Sequence, residues 1–228
     1  MIKKILKECW VHYKKDLSPK DRRMSILKEK GVRGMSTENI RFLFNEIVKK
    51  FAKRGTYLEV GIFRGCSLLS AALFNPSTRC IGIDNFSEFN YNSDGWRPSD
   101  NLNNEEELKK NLAKFPNTKN IEWFKVDYKK VIKNLFAKEP NLKVNVYFYD
   151  GEHSYENQLE GLKIMLPYLS KRSIIIVDDL NWEQVEKANT DFIKKNPDFK
   201  SVIKIKTKAN CSEDWWNGIE IIAKGLDS

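Results

Sequence analysis

The chain has 228 residues, of which 41% are hydrophobic, and it carries a formal net charge of +9. This length fits one domain that buries a sizeable core. The chain lacks the long apolar run that a membrane-spanning helix needs and the apolar stretch of a signal peptide, so neither is expected. The four cysteines show no C-x-x-C spacing. Together these features predict a reduced, cytoplasmic protein.

The positive charge is concentrated near the N-terminus. Residues 1–54 contain 16 Lys and Arg against 6 Asp and Glu, whereas the remaining chain has 24 against 25. We therefore divide the chain into a basic helical segment, 1–54, and a main domain, 55–228. A basic arm can bind RNA or an anionic surface. The aromatic pattern of a known RNA-binding module is missing, so a solvated surface is favoured over nucleic-acid binding.

Three helical patterns precede the first strand. Those at 2–15 and 21–30 are weak, and His12 in the first has no evident partner. A clearer helix begins at an N-cap, Ser36 or Thr37, and continues through Ala52. Its apolar residues share one face, which is expected to pack beside the first strand: Ile40, Leu43, Phe44, Ile47, Val48 and Phe51.

A strand, a glycine turn and a helix follow one another between Thr56 and Phe74. The apolar run Thr56–Val60 predicts the strand, and the helix is expected to begin at Ser67. Gly61 and Gly65 would let the backbone approach an anionic ligand at the helix start. The spacing matches neither the G-x-G-x-x-G dinucleotide motif nor the P-loop. A turn that simply needs glycine is the alternative interpretation.

The pattern Glu59-x-Gly61-x-x-x-Gly65 resembles the first motif of class I S-adenosylmethionine-dependent methyltransferases, in which an acidic residue ends the first strand. The resemblance implies that Glu59, Gly61, Gly65 and Ser67 bind the cofactor.

The second predicted strand, Arg79–Asp84, ends in an acid about 20 residues after the glycine turn, where this type of fold places the carboxylate that binds ribose hydroxyls. A turn-starting Asp is the alternative.

An insertion, 86–120, comes next, with a loop at 86–99 and a helix at 101–115. The third strand, Ile121–Asp127, follows, and the methyltransferase resemblance implies adenine contacts from Asp127 and Tyr128. Asp127 is equally well explained as a helix N-cap.

The fourth and fifth strands, Val144–Asp150 and Ser173–Asp179, are largely apolar and also end in acids. The carboxyl ends of parallel strands meet in one crevice, where crowded carboxylates repel each other unless a cation is present. Oxygen ligands suit Mg²⁺, Ca²⁺ or Mn²⁺ rather than zinc. We also assign Asp150 to the cofactor site.

The pairing of Asp150-x-x-His153 with Asp178-Asp179 resembles the metal-dependent macrolide-sugar O-methyltransferase and cephalosporin-hydroxylase-like group. The resemblance implies that Asp150, Asp178 and Asp179 bind Mg²⁺ or Mn²⁺. It also implies that His153 is the general base, since a neutral imidazole accepts a hydroxyl proton near pH 7. A residue that only starts the next helix is the alternative for His153.

Two helices and two strands complete the chain: helices at 155–169 and 182–195, and strands at 201–206 and 217–223. The fold class is thus α/β. We expect a doubly wound, Rossmann-like sheet of seven strands, mostly parallel with an antiparallel last strand, plus N-terminal helices.

The implied activity is transfer of a methyl group from S-adenosylmethionine to a small polar hydroxyl compound such as a sugar or glycoside. The insertion and the loop 207–216 are expected to form the acceptor pocket. Four tryptophans would either line this pocket or pack within a lid or a dimer interface: Trp96, Trp182, Trp215 and Trp216. A homo-oligomer is possible on this interpretation. The alternatives are a metal-independent or hydroxylase-like member of the fold and an RNA-binding methyltransferase-like module.

Overall fold

The computed structural model describes residues 23–87 and 103–225. Seven strands form one sheet in the order β3-β2-β1-β4-β5-β7-β6. The pairs among β1 to β5 are parallel, and β7 is antiparallel to β5 and to β6. The strands are β1 Thr56–Val60, β2 Arg79–Asp84, β3 Ile121–Lys125, β4 Val144–Tyr149, β5 Leu169–Asp178, β6 Phe199–Ile205 and β7 Ile219–Lys224.

Seven helices lie in the described part of the chain. They are α1 Ser25–Glu29, α2 Glu38–Phe51, α3 Cys66–Ala72, α4 Asn104–Ala113, α5 Tyr128–Lys138, α6 Tyr155–Ile164 and α7 Glu183–Lys195. Helices α1 to α4 pack on one face of the sheet, and α5 to α7 pack on the other. The expected doubly wound sheet with an antiparallel last strand is confirmed.

Alternating residues of the central strands fill the two cores. In β4, Val146 and Phe148 face α1 to α4, whereas Tyr147 and Tyr149 face the opposite layer. This is the period of two that a strand imposes on its side chains. Because both faces are covered, the strand reads as a continuous apolar run.

Helix α2 begins as predicted. The Thr37 hydroxyl accepts a hydrogen bond from the Ile40 backbone N–H at 3.3 Å, which makes Thr37 the N-cap. The same hydroxyl donates to the backbone oxygen of Asp214 at 2.7 Å. In the core, the rings of Phe44 and Phe148 meet edge to face at 4.6 Å between centroids. Residues preceding the first strand are therefore part of the main core.

One predicted helix is too long. The expected helix over 155–169 ends at Ile164, and β5 begins at Leu169 rather than at Ser173. Pro167 explains the difference, because proline has no backbone N–H and its ring clashes with the preceding turn of a helix. The helix expected at 101–115 begins at Asn104, where the Asn103 side chain accepts from the Glu106 backbone N–H at 3.1 Å.

Some predictions fall outside the described residues. They are the helix at 2–15, His12, and the segment 88–102 with Trp96. None of the described helices is long and apolar enough to cross a bilayer.

The strand order determines where a ligand-binding crevice can form. The chain proceeds outward from β1 to β3 and then returns to β4, which pairs with the other side of β1. This reversal opens a crevice at the carboxyl ends of β1 and β4, where ligands bind in open α/β sheets.

Candidate active site

The loop after β1 lies directly against the end of β4. Gly61 has φ +87°, and a Cβ atom there would stand 1.9 Å from the backbone oxygen of Asp150. The Gly61 backbone N–H also donates to the Ile83 oxygen at 2.9 Å. Gly65, with φ +79°, would place a Cβ atom 2.4 Å from a Leu108 methyl. Both positions therefore require glycine, and the loop is held close to β2, β4 and α4.

Asp84 organises this loop from the end of β2. Its Oδ2 accepts from the Phe63 backbone N–H and its Oδ1 from the Phe86 backbone N–H, each at 2.8 Å. Both phenylalanines have positive φ, 46° and 51°. Burial raises the pKa of the Asp84 carboxyl. A carboxylate can accept more hydrogen bonds than these, so the arrangement is compatible with the predicted ribose contact.

Glu59 lies beneath the loop rather than on its surface. It is fully buried, and its carboxyl accepts hydrogen bonds from the hydroxyls of Tyr57, at 2.8 Å, and Ser67. Burial raises the pKa of Glu59 to about 8. The structure thus joins two predicted cofactor residues, Glu59 and Ser67, in one hydrogen-bonded pair.

Asp127 and Tyr128 follow β3, at the carboxyl edge of the sheet. Asp127 caps α5, because its Oδ1 accepts from the Lys129 backbone N–H at 3.0 Å. The Tyr128 ring packs edge to face against Tyr149, with 6.0 Å between centroids. The N-cap interpretation therefore describes the contacts of Asp127, and the adenine role of both residues stays a prediction.

A cluster of ligand-type side chains follows β4 and β5. Candidate ligand atoms of Asp150, His153 and Asp179 all lie within 4.8 Å of one another. Asp178 and Asp179 are buried, with 6% and 8% exposure. Burial, together with the charges of Asp178 and Asp179, raises the pKa of Asp150 well above its ordinary range. Burial and the charge of Asp179 likewise raise the pKa of Asp178.

Asp178 is placed differently from the other predicted metal ligands. Its Oδ1 accepts from the backbone N–H of Asp179 at 2.9 Å, and it lines a small pocket with Gly61, Ser67 and Asp150. It is therefore next to the Asp150, His153 and Asp179 cluster but is not one of its three members.

His153 and Asp179 form a direct pair. Their Nε2 and Oδ2 atoms are 2.8 Å apart. The ring of Trp182 stacks on His153 at 6.2 Å between centroids, with an interplanar angle of 22°. The second oxygen of Asp179, Oδ1, accepts from the side-chain amide of Asn217 at 2.6 Å. Asn217 was expected to begin the last strand, but β7 begins at Ile219, and Asn217 lies in the preceding loop, 38 residues from Asp179.

The segment before α2 also contributes to the site. Gly34, Met35 and Ser36 line the pocket that contains Gly61 and Ser67. A Cβ atom at Gly34 would lie 2.4 Å from the Cys66 Cβ, so the two backbones are in close contact. This lining was not predicted either. The glycine at 34 is the one sequence signal that indicates a close approach.

A larger cavity, of 540 Å³, lies at the opposite edge of the sheet, before β2 and β3. Its lining includes Phe74, Phe115 and Lys114, and it contains no acidic side chain among the described residues. It is remote from the carboxyl ends of the strands, so we do not assign the chemistry to it.

Comparison with known proteins identifies the fold. The profile of a family described as "Methyltransferase domain" matches residues 58–180, more than half of the chain. The uncharacterized protein R132 of Acanthamoeba polyphaga mimivirus is 29% identical over 126 residues, which are 54% of this chain and 51% of that protein. This chain thus spans about half the length of that curated relative.

Two solved structures share the whole architecture. The O-methyltransferase TomG from Streptomyces achromogenes, involved in tomaymycin synthesis and solved with S-adenosylmethionine, has a TM-score of 0.59 at 14% identity, with 92% of this chain and 91% of TomG covered. CalS11, a TDP-rhamnose 3'-O-methyltransferase of calicheamicin biosynthesis, has a TM-score of 0.55 at 16% identity, with 99% and 93% covered. The Rossmann-like methyltransferase fold is confirmed.

Proposed function

Because the chain belongs to the methyltransferase domain family, we propose that it transfers a methyl group from S-adenosylmethionine to a hydroxyl oxygen of a small polar acceptor, with a divalent cation at the carboxyl edge of the sheet. In this reaction the methyl carbon leaves the sulfonium sulfur and bonds to the acceptor oxygen. The acceptor loses its hydroxyl proton.

One observation carries the proposal: Asp150 joins the glycine loop to the acidic cluster. Its backbone oxygen is the atom that excludes a side chain at Gly61. Its carboxylate belongs to the cluster with His153 and Asp179. A donor on the glycine loop would therefore lie beside the groups that receive the acceptor, and such proximity accounts for a large part of catalysis in group transfer.

The donor would be held mainly by the β1 and β2 loops. The Asp84 carboxylate would accept a hydrogen bond from the ribose in addition to those from the backbone, and this contact would be charge-assisted. Ser67 and the Gly61 backbone line the adjoining pocket. Val126, at 43% exposure, and Asp127 follow β3, where the adenine would be bound.

The acidic cluster fits a cation. The carboxylates of Asp150, Asp178 and Asp179 meet at this edge of the sheet, where Asp178 and Asp179 are buried and Asp150 is half-buried. Burial and mutual repulsion raise the pKa of Asp150 and Asp178. A divalent cation would compensate that charge, and oxygen donors suit Mg²⁺ or Mn²⁺. When bound, it would polarise the acceptor oxygen and lower the pKa of the hydroxyl.

His153 is the residue that we propose takes the acceptor proton. If Nε2 carries the hydrogen that it shares with Asp179 at 2.8 Å, Nδ1 is the basic nitrogen of the ring. Asp179 then stabilises the imidazolium that forms, as a buried carboxylate does for a catalytic histidine. Stacking on Trp182 limits rotation of the ring.

Loop 206–218, together with the insertion, would shape the acceptor pocket. Asn181 donates from its side-chain amide to Thr207 at 2.8 Å and to Asn210 at 2.9 Å, which ties the loop to the end of β5. The loop presents polar side chains, including Asn210 and Glu213, both exposed. The fold shared with a TDP-rhamnose methyltransferase supports a sugar or related polar acceptor.

Calorimetric titration with S-adenosylhomocysteine tests the donor half of this proposal, and we expect binding in the micromolar range. Incubation with labelled S-adenosylmethionine and a panel of nucleotide sugars, glycosides and catechols tests the transfer. Chelation with EDTA is expected to abolish labelling, and Mg²⁺ or Mn²⁺ to restore it. Binding of NAD⁺ without any response to the adenosyl compounds would contradict the proposal, and full activity in EDTA would remove the cation from it.

A further inference from the structure

Asp179 is held through both of its carboxylate oxygens. Oδ1 accepts from the Asn217 side chain at 2.6 Å, and Oδ2 is paired with His153 at 2.8 Å. The residue is also in a left-handed conformation, with φ +57°. This backbone conformation is unfavourable in free energy for a non-glycine residue, and surrounding contacts must offset that difference. The direction of this carboxylate is therefore set by its neighbours as well as by its backbone.

The orientation of the Asn217 amide is fixed from its other end. Its Oδ1 accepts from the Cys211 backbone N–H at 2.7 Å. Since that oxygen is turned to a donor, the NH₂ group must point to Asp179. The Asn217 backbone oxygen also accepts from the Asn181 backbone N–H at 2.9 Å. Asn217 is thus a rigid donor, held by the loop between β6 and β7.

We infer that Asn217 is a positioning residue that orients the Asp179 carboxylate for cation binding. This inference rests on the cation in the proposed function. Groups that hydrogen-bond a metal ligand fix its direction, and their removal typically weakens metal binding by about 10–100-fold. Asn217 reaches the site from the acceptor loop, so the same loop that shapes the acceptor pocket also orients a ligand of the cation.

A purely structural role for Asn217 makes a different prediction. If the residue only orders the loop, then any comparable loop hydrogen bond has the same importance. Asn210 provides the matched control. It lies in the same loop, is exposed, and accepts from the Asn181 side chain at 2.9 Å, but the structure places no contact between it and Asp179 in the described residues.

The test is a Mn²⁺ titration of the full-length protein, with free Mn²⁺ measured by electron paramagnetic resonance. We expect Asn217→Ala to raise the Kd for Mn²⁺ about 10–100-fold, with Asn210→Ala close to the unaltered protein. Circular dichroism checks the fold of each variant. If Asn217→Ala does not fold, Asn217→Ser is used in the same way, since its shorter side chain does not reach Asp179.

Unchanged Mn²⁺ affinity in the Asn217 variants overturns the inference, and so does equal weakening by Asn210→Ala. Failure of the proposed function is seen separately. If the unaltered protein binds no Mn²⁺, the cation of the proposed function is refuted and this inference is refuted with it. Binding of S-adenosylhomocysteine, measured by calorimetry on the same samples, tests the donor site independently of both.

Discussion

The two halves of the carboxyl edge are built differently. The half at β1 and β2 relies on backbone: two glycines with positive φ, and a carboxylate, Asp84, that accepts two backbone N–H groups. The half at β4 and β5 relies on side chains, in which Asp150, His153 and Asp179 come together and Asn217 joins them from a distant loop. The shape of the first half is set by its backbone, whereas the second half consists of mutually repelling carboxylates whose directions are set by hydrogen bonds from neighbouring side chains.

This difference predicts that donor binding and cation binding can be impaired separately. Changes in the first half are expected to affect donor binding, and changes in the acidic cluster are expected to affect cation binding and turnover. A variant that affects both equally would show that the two halves act as one unit.

The largest effect is expected for His153→Gln. Loss of a positioned general base typically lowers turnover by roughly 10²–10⁴-fold. Donor affinity is expected to stay near normal, because His153 follows β4 and pairs with Asp179, whereas the proposed donor contacts come mainly from the β1 and β2 loops. Steady-state kinetics and calorimetry measure the two quantities. Glu152→Gln is the matched control, since Glu152 is adjacent, exposed and hydrogen-bonded to Asn157. Near-normal turnover of His153→Gln would show that His153 is not the general base and only precedes the next helix.

Asp84→Asn is expected to weaken donor binding. An amide has one accepting oxygen, so the variant loses the charged acceptor that we propose for the ribose hydroxyls and also one of the bonds from the Phe63 and Phe86 backbone N–H groups. Hydrogen bonds to charged groups contribute about 1.5–3 kcal/mol, which corresponds to weaker S-adenosylhomocysteine binding by roughly 10–100-fold. Calorimetry gives the affinity. Mn²⁺ binding by the same variant serves as the control and is expected to change little; strong loss of both would argue against separate halves.

A thermal measurement tests the cation half without any acceptor. At a Mn²⁺ concentration of about 100 times Kd, binding adds about 2.7 kcal/mol of stability, or roughly 5–10 °C in Tm for a chain of this size. The raised pKa of Asp150 and of Asp178 means that protons compete with the cation at low pH. The rise in Tm is therefore expected to be larger at pH 8 than at pH 5.5. Asp150→Asn is expected to lose it, and an equal rise in that variant would place the cation elsewhere.

Glu59→Gln is expected to have the smallest effect. With a pKa of about 8, Glu59 is mostly protonated in the folded protein, and the amide is close to the protonated carboxyl in shape. At pH 5, close to the unfolded pKa, the free energy of unfolding should therefore change by less than about 1 kcal/mol. A carboxyl whose pKa is raised by folding loses stability as pH rises from its unfolded value to its folded value. Between pH 5 and 8 the variant should therefore lose less stability than the unaltered protein, as measured by urea unfolding. Parallel pH profiles would contradict the protonated state of Glu59.

The sequence was informative where local patterns determine structure. The apolar strands, the glycine turn and the Thr37 N-cap were predictable because each depends on neighbours in the chain. The acids at strand ends were predictable because parallel strands place their carboxyl ends together. The pattern over 155–169 predicts a helix longer than α6, because its apolar spacing continues up to and beyond Pro167, which a helix does not accommodate. Asn217 was beyond prediction, since its role depends on the conformation of a long loop.

A crystal structure with S-adenosylhomocysteine and Mn²⁺, with anomalous data at the manganese edge, tests most directly whether the donor and the cation bind at neighbouring halves of the carboxyl edge. We expect the nucleoside in the crevice with its ribose at Asp84, and one anomalous peak bonded to carboxylate oxygens of Asp150 and Asp179. A ligand bound away from Gly61 and Asp84, or Mn²⁺ bound away from the ends of β4 and β5, would contradict this expectation.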